Sequence, residues 1–335
     1  MKPQSELTEA RSEQRKDSRE SFRVRSQPFM GTLFTVYLHD VEAAQQQAVF
    51  QMVFDEIERV EKTFSRFLPS SELARINREA ALGPLVTDPE VFRLLARARD
   101  LSEKTEGAFD ATVGPLTRAW GFAERKRSIP STEALQAAQE AVEWRQMHLD
   151  EAWRTVEFGL PGMELDLGAI AKGYALDCAL ELLQPLSIQA MIDAGSSSIA
   201  ACGDFFSRAW PVAIADPVRP GETLCEVQLG HRALSTSGVK EQSFTAEGRI
   251  YSHLLDPAPL FCEEGSNRLQ LLQTTVLAPD STLADGLSTA LFLLGPHRGK
   301  AVLERFPQTS VFWVCRQDQE IFTSALHWPA TTANT

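Results

Sequence analysis

No stretch of this 335-residue chain reaches the roughly 18 consecutive apolar residues that a membrane-spanning helix requires. Its start, MKPQSELTEARSEQRKDSRES over Met1–Ser21, is charged and lacks the apolar run of about 7 to 15 residues that defines a secretory signal. As written, the chain is expected to be cytoplasmic; a leader missing from the sequence would make it exported or periplasmic instead. Cysteine is scarce and scattered. Cys178, Cys202, Cys225, Cys262 and Cys315 are odd in number and never spaced C-x-x-C, which argues against a zinc site or a redox pair and predicts reduced, mostly buried thiols. Basic charge is outweighed, with 33 Lys and Arg against 45 Asp and Glu and a net charge of -12. Nucleic acid and anionic membrane surfaces are therefore poor partners for this surface. No internal repeat is present, and no low-complexity tract beyond the leader.

Hydrophobic residues make up 43% of the chain, enough to bury a substantial core without help from disulfides or metal. Residues 1–23 read as a disordered leader and residues 24–330 as one folded unit. Val24–Leu38 reads as strand interrupted at Met30-Gly31. Phe50, Val53, Ile57, Val60 and Phe64 recur at three- and four-residue steps, predicting a core-packing helix over Ala43–Phe64. Asp88-Pro89 starts a second helix, with Gly107 ending it. Ser131–Val142 predicts a third, and Met147–Phe158 a strand pair around Asp150-Glu151. Strands then dominate: Met191–Ile192, Pro211–Ile214, Leu224–Leu229, Ile250–Leu255, Leu269–Ala278, Val311–Val314 and Ile321–Leu326. Helices early and strands late predict an α+β fold with helices packed on mixed or antiparallel sheets.

Two segments carry chemistry. STLADGLSTALFLLG over Ser281–Gly295 places Asp285 and Thr289 one helical turn apart, above an apolar stripe of Leu283, Leu287, Ala290, Leu291 and Leu294 on a helix that Thr282 could cap. Two hard oxygens on one face suit magnesium or calcium. The same residues also suit a plainer reading, in which Asp285 offsets the positive end of its own helix and Thr289 bonds back to a carbonyl. In MELDLGAIAKGYALD, over Met163–Asp177, the alternation of Met163, Leu165 and Leu167 predicts a short strand. Gly168 marks the turn into a helix from Ala169 to Leu183. Helix starts of this kind attract phosphate, and Lys172 adds a positive charge while Asp166 offers an acceptor. Alternatively, Lys172 is a solvated lysine and Asp166 a helix cap.

FMGT at Phe29–Thr32, SSELARIN at Ser70–Asn77, GAFDATVGPLTRAWGF at Gly107–Phe122, LDLGAIAKGYALD, STSG at Ser235–Gly238, SHLLDP at Ser252–Pro257 and LADGLSTALFLLG follow one another in order. Together they resemble the motifs of the ApbE family, the FAD:protein FMN transferases, from about Phe29 to about Val314. The resemblance implies a single bilobed domain and a magnesium-dependent enzyme. Such an enzyme cleaves FAD, moves FMN onto a threonine or serine hydroxyl of an acceptor flavoprotein, and releases AMP. It also implies a metal site from the side chains of Asp285 and Thr289 with the backbone oxygen of Ala169. FAD contacts are implied at Met30, Ala108, Phe109, Asp110, Asp166, Lys172 and Leu255, with His253 as proton handler near the acceptor hydroxyl.

Phe67 stands where many members carry a tyrosine in the flavin pocket; its ring can still stack on the flavin, but it has no hydroxyl with which to bond it. Other departures are the missing Thr-Gly after Asp256-Pro257, Ser196 in place of a frequent second glycine after Gly195, and Ser288 where some members have a carboxylate. The altered loop after Pro257 keeps open an FAD pyrophosphatase giving FMN and AMP. Ser196 keeps open a flavin carrier without catalysis.

Overall fold

The computed structural model describes residues 22–122, 126, 128–203, 209–239, 243–246, 249–257, 270–317 and 320–329. The expected leader up to residue 21, the segment after Pro257 and Cys262 lie outside the described residues.

Strand β1 (Phe22–Phe29) begins two residues before the expected boundary and turns into β2 (Thr32–His39) through Met30 and Gly31, at φ 50° and 74°. Positive φ at both central residues is the turn whose twist matches that of paired strands. Helix α1 (Ala43–Phe64) has the predicted bounds and buries Phe50, Val53, Ile57, Val60 and Phe64. Helix α2 (Glu72–Glu79) follows, capped by Ser71, whose side chain accepts from the Ala74 N–H. Beyond β3 (Leu85–Val86), α3 (Pro89–Lys104) starts as predicted: Asp88 accepts from the Glu90 N–H and proline fills the first turn, where its missing N–H costs nothing.

The short helices α4 (Gly114–Trp120) and α5 (Thr132–Gln139) come next, α5 ending three residues before the expected Val142. Strands β4 (Met147–Asp150) and β5 (Thr155–Phe158) form the expected pair and join β3 in a small sheet. Helix α6 (Ala171–Leu183) leads into β6 (Gln189–Ala194), β7 (Ser198–Cys202), β8 (Trp210–Ala215), β9 (Thr223–Leu229), β10 (Ala233–Gly238), β11 (Ser243–Ala246), β12 (Arg249–Ser252) and β13 (Gln270–Ala278). Helix α7 (Ser281–Leu303), β14 (Ser310–Gln317) and β15 (Glu320–Leu326) complete the described elements, and α7 bends at Gly295, φ 66°, just before Pro296.

The main sheet has eight strands in the order β1-β2-β6-β7-β10-β13-β14-β15. Every neighbouring pair in it is antiparallel. The fold is α+β, as the order of elements predicts. Parallel pairing among the described residues is limited to one bridge, Val113 with Glu164. Adjacent residues along the central strands serve opposite faces. Ala200, Ala233 and Val276 face the helices with Val53, Ile57, Leu176 and Leu287, whereas Ile199, Leu234 and Leu277 pack under the β8–β9 hairpin with Trp210, Val212 and Leu229. Among the described residues no helix is long and apolar enough to cross a membrane. Cys178, Cys202, Cys225 and Cys315 are free thiols, two buried and two half-buried.

Three expectations are corrected. Met163–Leu167 is extended, with Met163, Leu165 and Leu167 buried, but it is not a strand. Its backbone is held instead by the Asn77 side chain, which brackets Leu165 at 2.8 and 3.0 Å, and by the Ala111 carbonyl, which accepts from the Asp166 N–H. The cap of α7 is Asp280, accepting from the Leu283 N–H, whereas Thr282 lies inside the helix and donates to Asp177. In the buried stripe of α7, Leu283 is only half-buried, and Ala284 takes its place beside Leu287, Ala290, Leu291 and Leu294. Strands β3, β7, β10 and β11 add to the strands expected from sequence.

Candidate functional site

Helices α6 and α7 touch backbone to backbone at Gly173. A Cβ there would sit 2.2 Å from the Ser281 carbonyl oxygen and 2.9 Å from the Asp285 Cβ, so only glycine admits this approach. Asp177, one turn further along α6, accepts from the Ser281 and Thr282 N–H groups at 2.7 and 2.9 Å and from the Thr282 hydroxyl. It thus satisfies free donors at the start of α7 from outside that helix. Burial pushes the Asp177 carboxyl up to about 6.

This packing fixes Asp285, which is only 4% exposed. Its Oδ2 accepts from the Gly173 N–H at 3.0 Å, and its Oδ1 from the Ser198 and Ser235 hydroxyls at 3.0 and 3.1 Å. Ser198 and Ser235 are direct partners across β7 and β10, which puts both hydroxyls on the face that meets α7. Lys172 Nζ lies 3.6 Å from Oδ1. Thr289 Oγ1 lies 3.3 Å from Ser237 Oγ, which in turn is 2.8 Å from Ser288 Oγ. Neither Asp285 nor Thr289 serves its own helix: Asp280 caps it, and Ser288 is the residue that bonds back, to the Asp285 carbonyl at 2.8 Å.

The donor set fits a hard cation. In a continuous helix the Gly173 N–H would bond the Ala169 carbonyl; here it donates to Asp285, and among the described residues no donor replaces it at that carbonyl. A carboxylate offers about four lone-pair positions. Protein donors at three of them leave one on Oδ2. Among the described residues no three His, Cys, Asp or Glu side chains form a metal cluster. Such a set suits magnesium, which takes one or two carboxylates and completes its shell with water and phosphate oxygens, better than a transition metal.

A second group is joined to the start of α6 through Asp166 and Gly168. Asp166 Oδ1 accepts from the Gly168 N–H at 2.9 Å, and Oδ2 receives Arg66 at 2.5 Å. The Arg66 side chain is 8% exposed and lies 5.2 Å from the centre of the Phe67 ring, itself 62% exposed. Buried cation and open ring together make a platform on which a flat heteroaromatic can stack. Sequence reasoning does not single out Arg66; its signal is an arginine beside the exposed aromatic at the end of α1.

Around these, Met30 donates its N–H to Glu61 at 2.6 Å, which holds the β1–β2 turn over α1. Gly195 comes so close to that hairpin that a Cβ would meet Thr32 Oγ1 at 2.0 Å, while Ser196 is exposed at φ 60°. The close approach therefore requires glycine at 195 and tolerates serine at 196. Phe109 is buried in the core and Ala108 packs against it. The Asp110 carboxylate accepts from the Thr112 N–H and hydroxyl at 2.7 Å and from the Trp144 N–H at 3.2 Å, and burial pushes it up to about 6. It organises the 108–113 loop.

Leu255 packs with α4 and α5, and the Pro257 carbonyl accepts from Gln139, so the SHLLDP segment with half-buried His253 is anchored there. Helix α4 is tied to the Asp166 segment through the Gly114 N–H and the Glu164 carbonyl.

The sequence profile of the ApbE family matches residues 30–313. This chain belongs to the ApbE family. It is 32% identical over 306 residues to the FAD:protein FMN transferase of Treponema pallidum, covering 87% of this chain and 83% of that one. It is also 32% identical over 309 residues to that of Haemophilus influenzae, covering 88% and 87%. Among solved structures it resembles the ApbE protein of Thermotoga maritima with a TM-score of 0.79 at 27% identity, covering 90% of this chain and 97% of the other. The flavin transferase ApbE of Vibrio cholerae gives 0.78 at 27%, covering 91% and 96%. The chain is thereby a member of a transferase family, and the α+β architecture is that of ApbE structures.

Proposed function

We propose that this chain is a magnesium-dependent FAD:protein FMN transferase that places FMN on a threonine or serine of a partner flavoprotein and releases AMP. The observation that supports the reading is Asp285 of α7 held by the Gly173 N–H of α6 and faced by Lys172 at 3.6 Å, with the Arg66–Phe67 platform tied through Asp166 to the turn that leads into α6.

Phe67 offers its ring face to the isoalloxazine, and Arg66, held by Asp166, supports that ring from behind. Lys172, in the first turn of α6, meets the diphosphate with its ammonium, and the positive end of the helix favours the anion there. Asp285, Thr289 and the Ala169 carbonyl would hold a magnesium ion, which would supply neutralisation of charge on the transferring phosphoryl group. His253 takes the proton of the acceptor hydroxyl, whose oxygen bonds the FMN phosphorus as the bond from that phosphorus to the AMP phosphate oxygen breaks. AMP leaves as a phosphate and needs no proton at neutral pH. The buried serines keep the Asp285 carboxylate in one orientation, so little reorganisation remains for the reaction step.

Mass spectrometry tests this. Incubation with FAD, magnesium and an acceptor flavoprotein or its threonine-bearing peptide should add the mass of FMN to the acceptor. Free FMN and AMP formed equally without acceptor identifies a pyrophosphatase instead, and FAD that copurifies and stays intact with magnesium identifies a carrier.

A further inference from the structure

Lys172 occupies an ambiguous position. At 3.6 Å from Asp285 Oδ1 it is too far for a hydrogen bond yet close enough to be the nearest positive charge to a carboxylate that is otherwise surrounded by neutral donors. Its side chain retains 22% exposure, so the ammonium is not locked in place, and four methylenes give it reach. Asp177, the next acid along α6, is engaged by the start of α7, and Asp166 by Arg66. Lys172 therefore has Asp285 as its counter-ion.

We infer that Lys172 and the divalent cation compete for Asp285, and that the dinucleotide's diphosphate receives the lysine when the cation takes its place, which makes metal and FAD bind cooperatively. The inference rests on the metal site proposed for Asp285 and Thr289. A doubly charged ion there would lie within a few ångströms of the ammonium, and like charges at that range repel strongly when partly shielded from water. The lysine must swing away, at the expense of metal affinity. A diphosphate bound at the start of α6 gives it a new anionic partner, and the penalty disappears. Linkage then requires each ligand to raise the affinity of the other by the same factor.

The test is isothermal titration with magnesium chloride alone, without dinucleotide, on wild type, Lys172→Met, Lys172→Arg and Asp285→Ala. Lys172→Met should bind magnesium about tenfold more tightly than wild type, and magnesium should raise its melting temperature by more. Lys172→Arg keeps the charge and should stay near wild type, which separates charge from packing. FAD affinity, read by flavin fluorescence without acceptor protein, should gain from magnesium in wild type and gain less in Lys172→Met. Equal or weaker magnesium binding by folded Lys172→Met overturns the inference while leaving the metal site standing. Magnesium binding that Asp285→Ala does not weaken, or none in any form, overturns the metal reading and the inference with it.

Discussion

Replacing Gly173 by alanine is the sharpest single test of how the site is built. The new methyl carbon would begin 2.2 Å from the Ser281 oxygen, 2.6 Å from the Ser281 carbon and 2.9 Å from the Asp285 Cβ. Ordinary contact begins near 3.4 Å, so α6 and the first turn of α7 must part by about an ångström, and two of the three obstructing atoms are backbone that cannot rotate aside. Overpacking of this kind costs about 3 kcal/mol. Alanine returns about 1 kcal/mol as the better helix former, which leaves a net loss of about 2 kcal/mol. The same displacement moves Asp285 off the Gly173 N–H and away from the Ala169 turn, and an ångström of misplacement is worth about a hundredfold in turnover.

Gly286→Ala is the control. Its methyl would meet the Leu101 Cδ2 at 2.3 Å and the Ile170 Cγ2 at 2.9 Å, both ends of side chains that can turn, so it should cost less. Urea unfolding and magnesium titration read both effects. A Gly173→Ala protein as stable as wild type, with unchanged magnesium affinity, would refute the close-approach argument.

Asp285→Ala should abolish magnesium-dependent turnover while FAD binding stays measurable, and should lower stability by about 2 kcal/mol, because the Gly173 N–H and the Ser198 hydroxyl lose their acceptor while Ser235 keeps the Ser197 carbonyl; turnover that survives refutes the site. His253→Ala should leave FAD affinity intact and slow FMN transfer by about a hundredfold to ten-thousandfold; an equal loss of affinity would mark a binding residue instead. Asp177 gives a pH signature, because a carboxyl raised from 3.8 to about 6 holds its proton more tightly in the folded chain. Its contribution to stability therefore falls as pH rises from about 4 through about 6, by about 3 kcal/mol. Asp177→Asn lacks that dependence, so the advantage of wild type over the variant should shrink between pH 4 and pH 7 in urea melts; a constant difference would show that burial does not govern this group.

What is legible in the sequence is local. Helix α1 announces itself through a repeated three- and four-residue spacing, α3 through Asp88-Pro89, and the Asp285–Thr289 pair through one helical turn. Strand β7 is not legible because Ser-Ile-Ala-Ala-Cys offers neither bulky β-formers nor alternation; all five residues are buried between the two layers, where small side chains let α7 come close. The Arg66–Asp166 pair joins residues 100 apart, and no spacing rule reaches that far. Ser235 and Ser237 do carry a signal in their period of two, but the strand register that aims them at α7 is a tertiary fact. The segment Met163–Leu167 misleads because its alternation of burial is real, while its hydrogen bonds go to Asn77 and Ala111.

The partners of the Asp285 side chain come from 112, 87 and 50 residues away along the polypeptide, at Gly173, Ser198 and Ser235. Such a junction cannot preassemble from any local fragment, and contacts of this sequence span form late and slowly. A chain still on the ribosome, or one unfolded at the central strands, should consequently lack this junction and the proposed site built on it. The carboxylate is set in place only by the finished tertiary structure, so its geometry reports on folding itself.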